Sequence, residues 1–117
     1  MSKKTKKELF QRRRWRARKK ISGTIDRPRM NIYKSLTNLY VQLIDDNAGH
    51  TLASVSTYDT KIGGSANVET GLKLGKLIAE KAKEAKISQV VFDKSGYKYH
   101  GVIKAVVQTA RDEGLKI

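Results

Sequence analysis

The chain has 117 residues, of which 25 are Lys or Arg and 11 are Asp or Glu, so its formal net charge is +14. This length suits one domain with an appendage. Because there is no Cys, disulfides, thiolate zinc sites and cysteine nucleophiles are excluded. No apolar stretch approaches the roughly 18 residues that a membrane span requires.

The positive charge is concentrated in the N-terminal segment. Residues 1–29 hold thirteen basic residues against two acids, Glu8 and Asp26. Like charges at this density repel one another unless a polyanion neutralises them, and a nucleic-acid backbone is the usual polyanion. Arginines around Trp15 add bidentate phosphate contacts and stacking on bases. The arm residues that we predict to contact RNA are Lys3, Lys4, Lys6, Lys7, Arg12, Arg13, Arg14, Trp15, Arg16, Arg18, Lys19 and Lys20.

The arm is conditionally helical. Residues 5–21 contain good helix formers and no Pro, and Gly23 is placed to end the helix as a left-handed cap. Because adjacent like charges oppose the free helix, we expect disorder alone and order on the partner. A charge interrupts the apolar side, which predicts that the helix is not part of a core. The residues on that side are Phe10, Arg14, Ala17 and Ile21.

The segment 26–29 contains the only Pro and predicts an extended hinge, so we divide the chain into an arm, 1–26, and a globular domain, 27–117. Residues 30–35, 39–45 and 51–57 alternate in strand fashion. The short polar breaks between them favour an antiparallel meander. After a loop at 58–67, residues 90–92 form an apolar run typical of a buried strand that is reached by a helical crossover.

Two helices complete the pattern. Apolar and small residues recur at helical spacing over residues 68–85, with Asn67 as N-cap, and again from Val102 to a stop at Gly114. The predicted fold class is α/β (α+β-like): a four-stranded mixed sheet with two helices on one face and a basic N-terminal helical arm. The sheet combines a three-strand antiparallel meander with one crossover strand.

This layout leaves the opposite sheet face without a cover from the chain. Its polar and aromatic side chains suit an RNA platform, although a solvated sheet face remains an alternative from shape alone. From the sheet and the segment that enters it, the predicted RNA contacts are Arg27, Arg29, Lys34, Ser35, Tyr40, Gln42, Ser54 and Ser56.

A second candidate segment follows the fourth strand, at the edge where open α/β sheets commonly hold ligands. Backbone N–H groups near the start of the last helix can receive a phosphate. The alternative is a turn whose tyrosines cover the helix end. The residues concerned are Lys94, Tyr97, Lys98, Tyr99, His100 and Gly101.

Enzymatic function is not predicted. His50 and His100 are the only histidines, and neither has the sequence-local partners of a catalytic triad. Asp45 and Asp46 fit a turn better than an ion site, and the sequence contains no metal-binding cluster, so we predict no metal and no cofactor. The rival functions are a membrane-surface module, a small hydrolase or nuclease, and a chromatin-type DNA binder.

Several segments, taken in order, resemble the bacterial large-subunit ribosomal protein L18 family. They are RPRMNIYKS (27–35), YVQLIDD (40–46), TLASVST (51–57), GKLIAEKA (75–82), FDKSGYKYHG (92–101) and ARDEGLK (110–116). The similarity extends along essentially the whole chain. The RPR segment and the FD-(basic)-x-GYxYHG signature are the most specific parts, and Lys94 stands where the signature often has arginine.

The resemblance implies a structural constituent of the 50S subunit in the cytoplasm. Its implied partners are 5S rRNA, 23S rRNA and neighbouring ribosomal proteins, including other 5S rRNA binders. The protein would help attach 5S rRNA to 23S rRNA in the central protuberance, with its basic arm making the densest contacts. We expect it to be monomeric when free, to bind no membrane, and to derive its specificity from RNA shape.

Overall fold

The computed structural model describes residues 5–35, 37–58, 67–93 and 97–117, with the side chains of 17–20 left out. Its elements follow the predicted order. They are α1 (Lys6–Lys20), β1 (Arg29–Lys34), β2 (Leu39–Asp45), β3 (His50–Ser56), α2 (Val68–Glu84), β4 (Val91–Asp93) and α3 (Val102–Asp112).

The four strands form one mixed sheet in the order β3-β2-β1-β4. The meander pairs antiparallel, and β4 returns parallel to β1 after the α2 crossover. Because β4 is short, it pairs only with Arg29 to Asn31, the first half of β1. The predicted fold class is confirmed.

One face of the sheet carries the core. Alternate strand residues point to this face, where α2 and α3 pack over them and bury apolar surface, the main favourable contribution to folding. The strand residues of the core are Met30, Ile32, Leu39, Val41, Leu43 and Val55, and the helices contribute Leu74, Ile78, Ala82, Ile103, Val106, Val107 and Ala110.

Local capping signals behave as predicted at two helix ends. The Asn67 side chain accepts a 2.9 Å hydrogen bond from the backbone N–H of Thr70, and the Thr70 hydroxyl accepts one of 3.0 Å from the Asn67 N–H. This reciprocal capping box begins α2. Gly114, with φ of +104°, follows α3 in the left-handed conformation.

The predicted role of Gly23 is wrong. Helix α1 ends at Lys20, and Ile21 follows it in an extended conformation. Among the described glycines, the left-handed ones are Gly49, Gly101 and Gly114. Gly23 is instead buried against the sheet, where a Cβ atom would collide with the Ile44 carbonyl and the Arg29 nitrogen. Close approach of two backbones, and not a turn, requires glycine here.

The two core helices approach each other closely through the glycines of α2. A Cβ atom on Gly75 would lie 2.5 Å from the Val106 carbonyl oxygen and 2.8 Å from the Thr109 Cβ. At Gly71 the nearest atom, the Val102 carbonyl oxygen, is 3.1 Å away. The spacing of α2 and α3 therefore depends on Gly75 more than on Gly71.

We expect Gly75→Ala to destabilise the domain although alanine favours helix by about 1 kcal/mol. The new methyl group would force α3 outward, and overpacking of this kind typically costs about 1–3 kcal/mol. The measurement is the free energy of unfolding by urea. Gly71→Ala has the same propensity gain and is the matched control; a loss equal to or larger than that of Gly75→Ala would contradict this account.

Candidate RNA-binding surface

A buried arginine joins the arm to the sheet. Arg29 begins β1 and is only 5% exposed. Its Nε and one terminal nitrogen donate to the two carboxylate oxygens of Asp46 at 3.0 and 3.1 Å, and its other terminal nitrogen donates to Asp93 Oδ2 at 2.9 Å. Burial would lower the pKa of Arg29, but hydrogen bonds and charges from Asp46 and Asp93 outweigh it and raise the pKa above its ordinary value. The guanidinium therefore stays charged over the accessible pH range.

The same carboxylate holds the segment that leads out of the arm. The Gly23 N–H donates to Asp46 Oδ2 at 2.6 Å, and the Asp46 N–H donates to the Gly23 carbonyl at 3.0 Å. Asp46 lies in the turn after β2, and Asp93 ends β4. We call Gly23, Arg29, Asp46 and Asp93 the joint. These contacts fix the position at which the arm meets the sheet.

A second contact holds α1 itself. Tyr97 lies where β4 has ended, and its hydroxyl accepts from the Lys34 N–H at 2.9 Å and donates to the Lys34 carbonyl at 3.1 Å. This phenol thus satisfies the backbone at the end of β1 as a neighbouring strand would. Its ring packs edge-on against Phe10 of α1, with centroids 4.8 Å apart.

The sheet face opposite the core is therefore partly covered by the chain. We expected no such cover, and that expectation is wrong because the Phe10 side of α1 meets this face. Arg14, one turn further along, lines a groove with residues of β1, β2 and the segment between them. We call this the Tyr33–Tyr40 groove; the residues lining it are Arg14, Asn31, Tyr33, Ser35, Tyr40 and Gln42.

Comparison with known proteins identifies the family of the chain. Residues 4–117 match the family described as ribosomal L18 of archaea, bacteria, mitochondria and chloroplast. The large ribosomal subunit protein uL18 of Streptococcus thermophilus is 51% identical over 116 residues, covering 99% of this chain and 98% of the relative. The chain belongs to the ribosomal L18 family.

Two further relatives, both large ribosomal subunit proteins uL18, are equally similar. That of Herpetosiphon aurantiacus is 51% identical over 120 residues, covering 99% of both chains. That of Streptococcus agalactiae is 50% identical over 116 residues, covering 99% of this chain and 98% of the relative. This L18 chain is therefore a structural, non-enzymatic component of the large ribosomal subunit. It associates with rRNA and other ribosomal proteins in the cytoplasm, as part of the ribosome.

Charge in this L18 chain is divided between the two sides of the sheet. On the side of the sheet covered by α2 and α3, lysines lie among the acidic residues of the two helices. These acidic residues are Glu69, Glu80, Glu84, Asp112 and Glu113. Asp45 accepts a hydrogen bond from the Asn47 N–H in its turn, as predicted, and the carboxylates of the joint face Arg29. Among the described residues, no acid lines the Tyr33–Tyr40 groove. The groove therefore presents no carboxylate of the described residues to a polyanion.

The structure brings several predicted contacts together. Arg14, Ser35, Tyr40 and Gln42 line one groove, while Ser54 and Ser56 extend the same face across β3. The predicted arm residues with exposed side chains are Lys6, Lys7, Arg12, Arg13, Trp15 and Arg16. Of the predicted contacts outside the arm and the groove face, Arg27, Lys34, Lys98, Tyr99 and His100 are exposed. Tyr99 packs edge-on against Phe92, with centroids 6.1 Å apart.

Other predicted contacts are placed differently. Arg29 donates its hydrogen bonds to Asp46 and Asp93 inside the joint, so we leave it out of the proposed RNA contacts. The Tyr97 hydroxyl is hydrogen-bonded to the Lys34 backbone, and its ring packs on Phe10. Gly101, with φ of +58°, precedes α3. Lys3, Lys4 and Lys94 lie outside the described residues, as do the side chains of Arg18, Lys19 and Lys20 and most of the predicted 58–67 loop.

Three residues of this surface were not predicted from the sequence. Asn31 and Tyr33 were not singled out, and Phe10 was placed on the apolar side of the arm without a contact to the sheet. The alternation of β1 held the signal for two of them. Since Met30 and Ile32 point into the core, Asn31 and Tyr33 must point to the other face, beside Gln42 and Tyr40 in the antiparallel register.

Among the residues that the structure describes, no group of three or more His, Asp or Glu side chains is arranged to hold a metal ion. No described helix is long and apolar enough to cross a membrane.

We expect Arg29→Leu to destabilise the domain severely. The substitution deprives the buried Asp93 of its guanidinium, and removing one partner of a buried ion pair costs about 3–5 kcal/mol. Arg27→Leu, two residues earlier at an exposed position, is the matched control and should change stability by less than about 0.5 kcal/mol. Urea unfolding measures both, and equal losses would refute a special role for the joint.

Tyr97→Phe should lower stability by about 0.5–1.5 kcal/mol, because the two hydrogen bonds to Lys34 are lost while the ring remains. Tyr99→Phe removes a hydroxyl from the same segment without touching Lys34 and serves as control. Thermal unfolding of the two variants compares them directly. A smaller loss for Tyr97→Phe than for Tyr99→Phe would contradict this role of the phenol.

Proposed function

We propose that this L18 chain binds 5S rRNA and helps attach it to 23S rRNA in the central protuberance of the large subunit. The observation that carries the proposal is the position of basic α1 beside an acid-poor sheet face, while the acids of the helices lie on the other side. Family membership supports a ribosomal RNA as the ligand.

The arm would supply most of the affinity. Arg12 and Arg16 are exposed on the side of α1 away from Phe10 and Arg14, so RNA can approach them without displacing the helix. Each neutralised phosphate releases condensed counterions, which favours binding at low salt. Guanidinium groups add two-pronged hydrogen bonds to phosphate oxygens. We retain the division into an arm, 1–26, and a domain, 27–117, as part of this proposal.

The sheet face and the segment before α3 would set the register on the RNA. Serine and glutamine side chains on β2 and β3 offer hydrogen bonds to sugar and base edges. Lys98 and His100 are exposed close to the first turn of α3, whose backbone N–H groups favour a phosphate. These contacts carry less charge than the arm, so they would determine orientation more than affinity.

The remaining partners follow from the same arrangement. We propose that 5S rRNA occupies the arm and the open face, and that 23S rRNA and neighbouring ribosomal proteins, including other 5S rRNA binders, contact the complex around it. The free chain is proposed to be a monomer, with its arm ordered fully only on RNA.

Binding to a 5S rRNA transcript should depend steeply on salt. With about six to eight phosphates contacted, affinity should fall by about a thousandfold or more between roughly 50 and 200 mM salt. The Arg12→Gln/Arg16→Gln double variant should lower the slope of log K against log salt by about 2. The matched control, Lys73→Gln/Lys104→Gln, removes the same charge from exposed sites on α2 and α3 and should leave the slope nearly unchanged.

Two outcomes would refute the proposal. One is equal affinity for the 5S transcript and for unrelated structured RNAs of the same length. The other is an equal change of salt slope in both double variants, which would mean that total charge, and not the arm surface, attracts the RNA.

A further inference from the structure

We propose that the Tyr33–Tyr40 groove binds one unpaired nucleobase, with the phosphate of that nucleotide held by Arg14. This inference rests on the proposed function, since the RNA that inserts the base is taken to be 5S rRNA. It adds a defined subsite, made jointly by the arm and the sheet, to what is otherwise a charged surface.

The groove has the size and aromatic lining to take a planar ligand. Its volume is about 480 Å³. Tyr33 is 53% exposed, and its ring centroid lies 5.8 Å from that of Tyr40 with the ring planes inclined by 39°. Because the rings are tilted and not stacked on each other, the groove presents aromatic surface to a ligand.

The polar residues of the groove fit a base better than an isolated anion. Asn31 and Gln42 stand opposite each other in the antiparallel register of β1 and β2, and both line the groove. Their amides combine donors and acceptors, which is the pattern found on base edges; Asn and Gln recognise adenine in this way. Among the residues that the structure describes, the one cation of the lining is Arg14, which comes from α1 and not from the sheet. The aromatic surface would therefore receive the base and Arg14 the phosphate.

Because α1 forms one wall of the groove, the base that enters it must be unpaired. The Phe10–Tyr97 contact holds the helix against the end of β1, so the groove lies between a helix and a sheet. A base inside a duplex has both faces stacked on its neighbours, and only loops, bulges and ends can present a splayed base. Beyond Tyr40 and Gln42 a second hollow continues to Ser54, Ser56 and Lys81. The RNA backbone can leave the groove along this hollow.

Substitutions that remove or retain each ring test the proposal on the full chain. Tyr33→Leu and Tyr40→Leu should each weaken binding to the 5S transcript by about 5-fold to 150-fold, the loss of one stacked base. Their salt slope should stay unchanged, because no ion contact is lost. Tyr33→Phe and Tyr40→Phe keep the rings and should bind within about 2-fold of the unmodified chain.

Arg14→Gln separates the phosphate contact from the stacking contact. It should weaken binding and lower the salt slope by about 1. Urea unfolding of each variant keeps structural damage apart from lost contacts, since binding is compared under conditions in which all variants are folded.

Ultraviolet cross-linking of the full chain to the 5S transcript gives an independent readout. Peptides containing Tyr33 or Tyr40 should carry a nucleotide, and that nucleotide should lie in a loop or bulge. If the unmodified chain prefers 5S rRNA but the Leu variants bind as the Phe variants do, or if the cross-linked nucleotide is base-paired, this inference fails alone. If the unmodified chain shows no preference for 5S rRNA, the proposed function fails first.

Discussion

The arrangement of this protein depends on one buried cation, Arg29, held between two carboxylates from different elements. A guanidinium presents a rigid fork of donors, so it can engage Asp46 after β2 and Asp93 at the end of β4 simultaneously. Because removal of a charge from water is costly, this cluster is stable only in one geometry. It ties β1 to both neighbouring strands and, through Gly23, determines the direction in which the arm leaves the sheet.

The two faces of the sheet therefore have different roles. One face buries apolar side chains under α2 and α3 and provides the stability of the domain. The other face carries tyrosines, amides and hydroxyls. Helix α1 lies beside this face and is held there by the contact between Phe10 and Tyr97. The charge that interrupts the apolar side of α1 also has a structural place: Arg14 faces the Tyr33–Tyr40 groove, which is lined by amides and hydroxyls as well as rings, and not the apolar core.

Much of the fold follows from local patterns. Alternation and short polar breaks predict the meander, the apolar run near Val91 predicts the crossover strand, and the Asn67 cap predicts the start of α2. The resemblance to the L18 family rests on segments that can be compared without any structure. Of the candidate surface, the basic arm and the groove residues Tyr40 and Gln42 were accessible from sequence, because charge runs and strand alternation are local properties.

The sequence by itself determined the order of elements, the apolar core, the family and the location of the positive charge. Only the tertiary structure decided that Arg29 is internal, that Gly23 is a point of close packing, and that Tyr33 and Arg14 share a groove. The reason is physical: these roles are set by partners far away along the chain, such as Asp93, which is 64 residues from Arg29. Residue type states what a side chain can do, whereas its neighbours in space decide which of those interactions it makes.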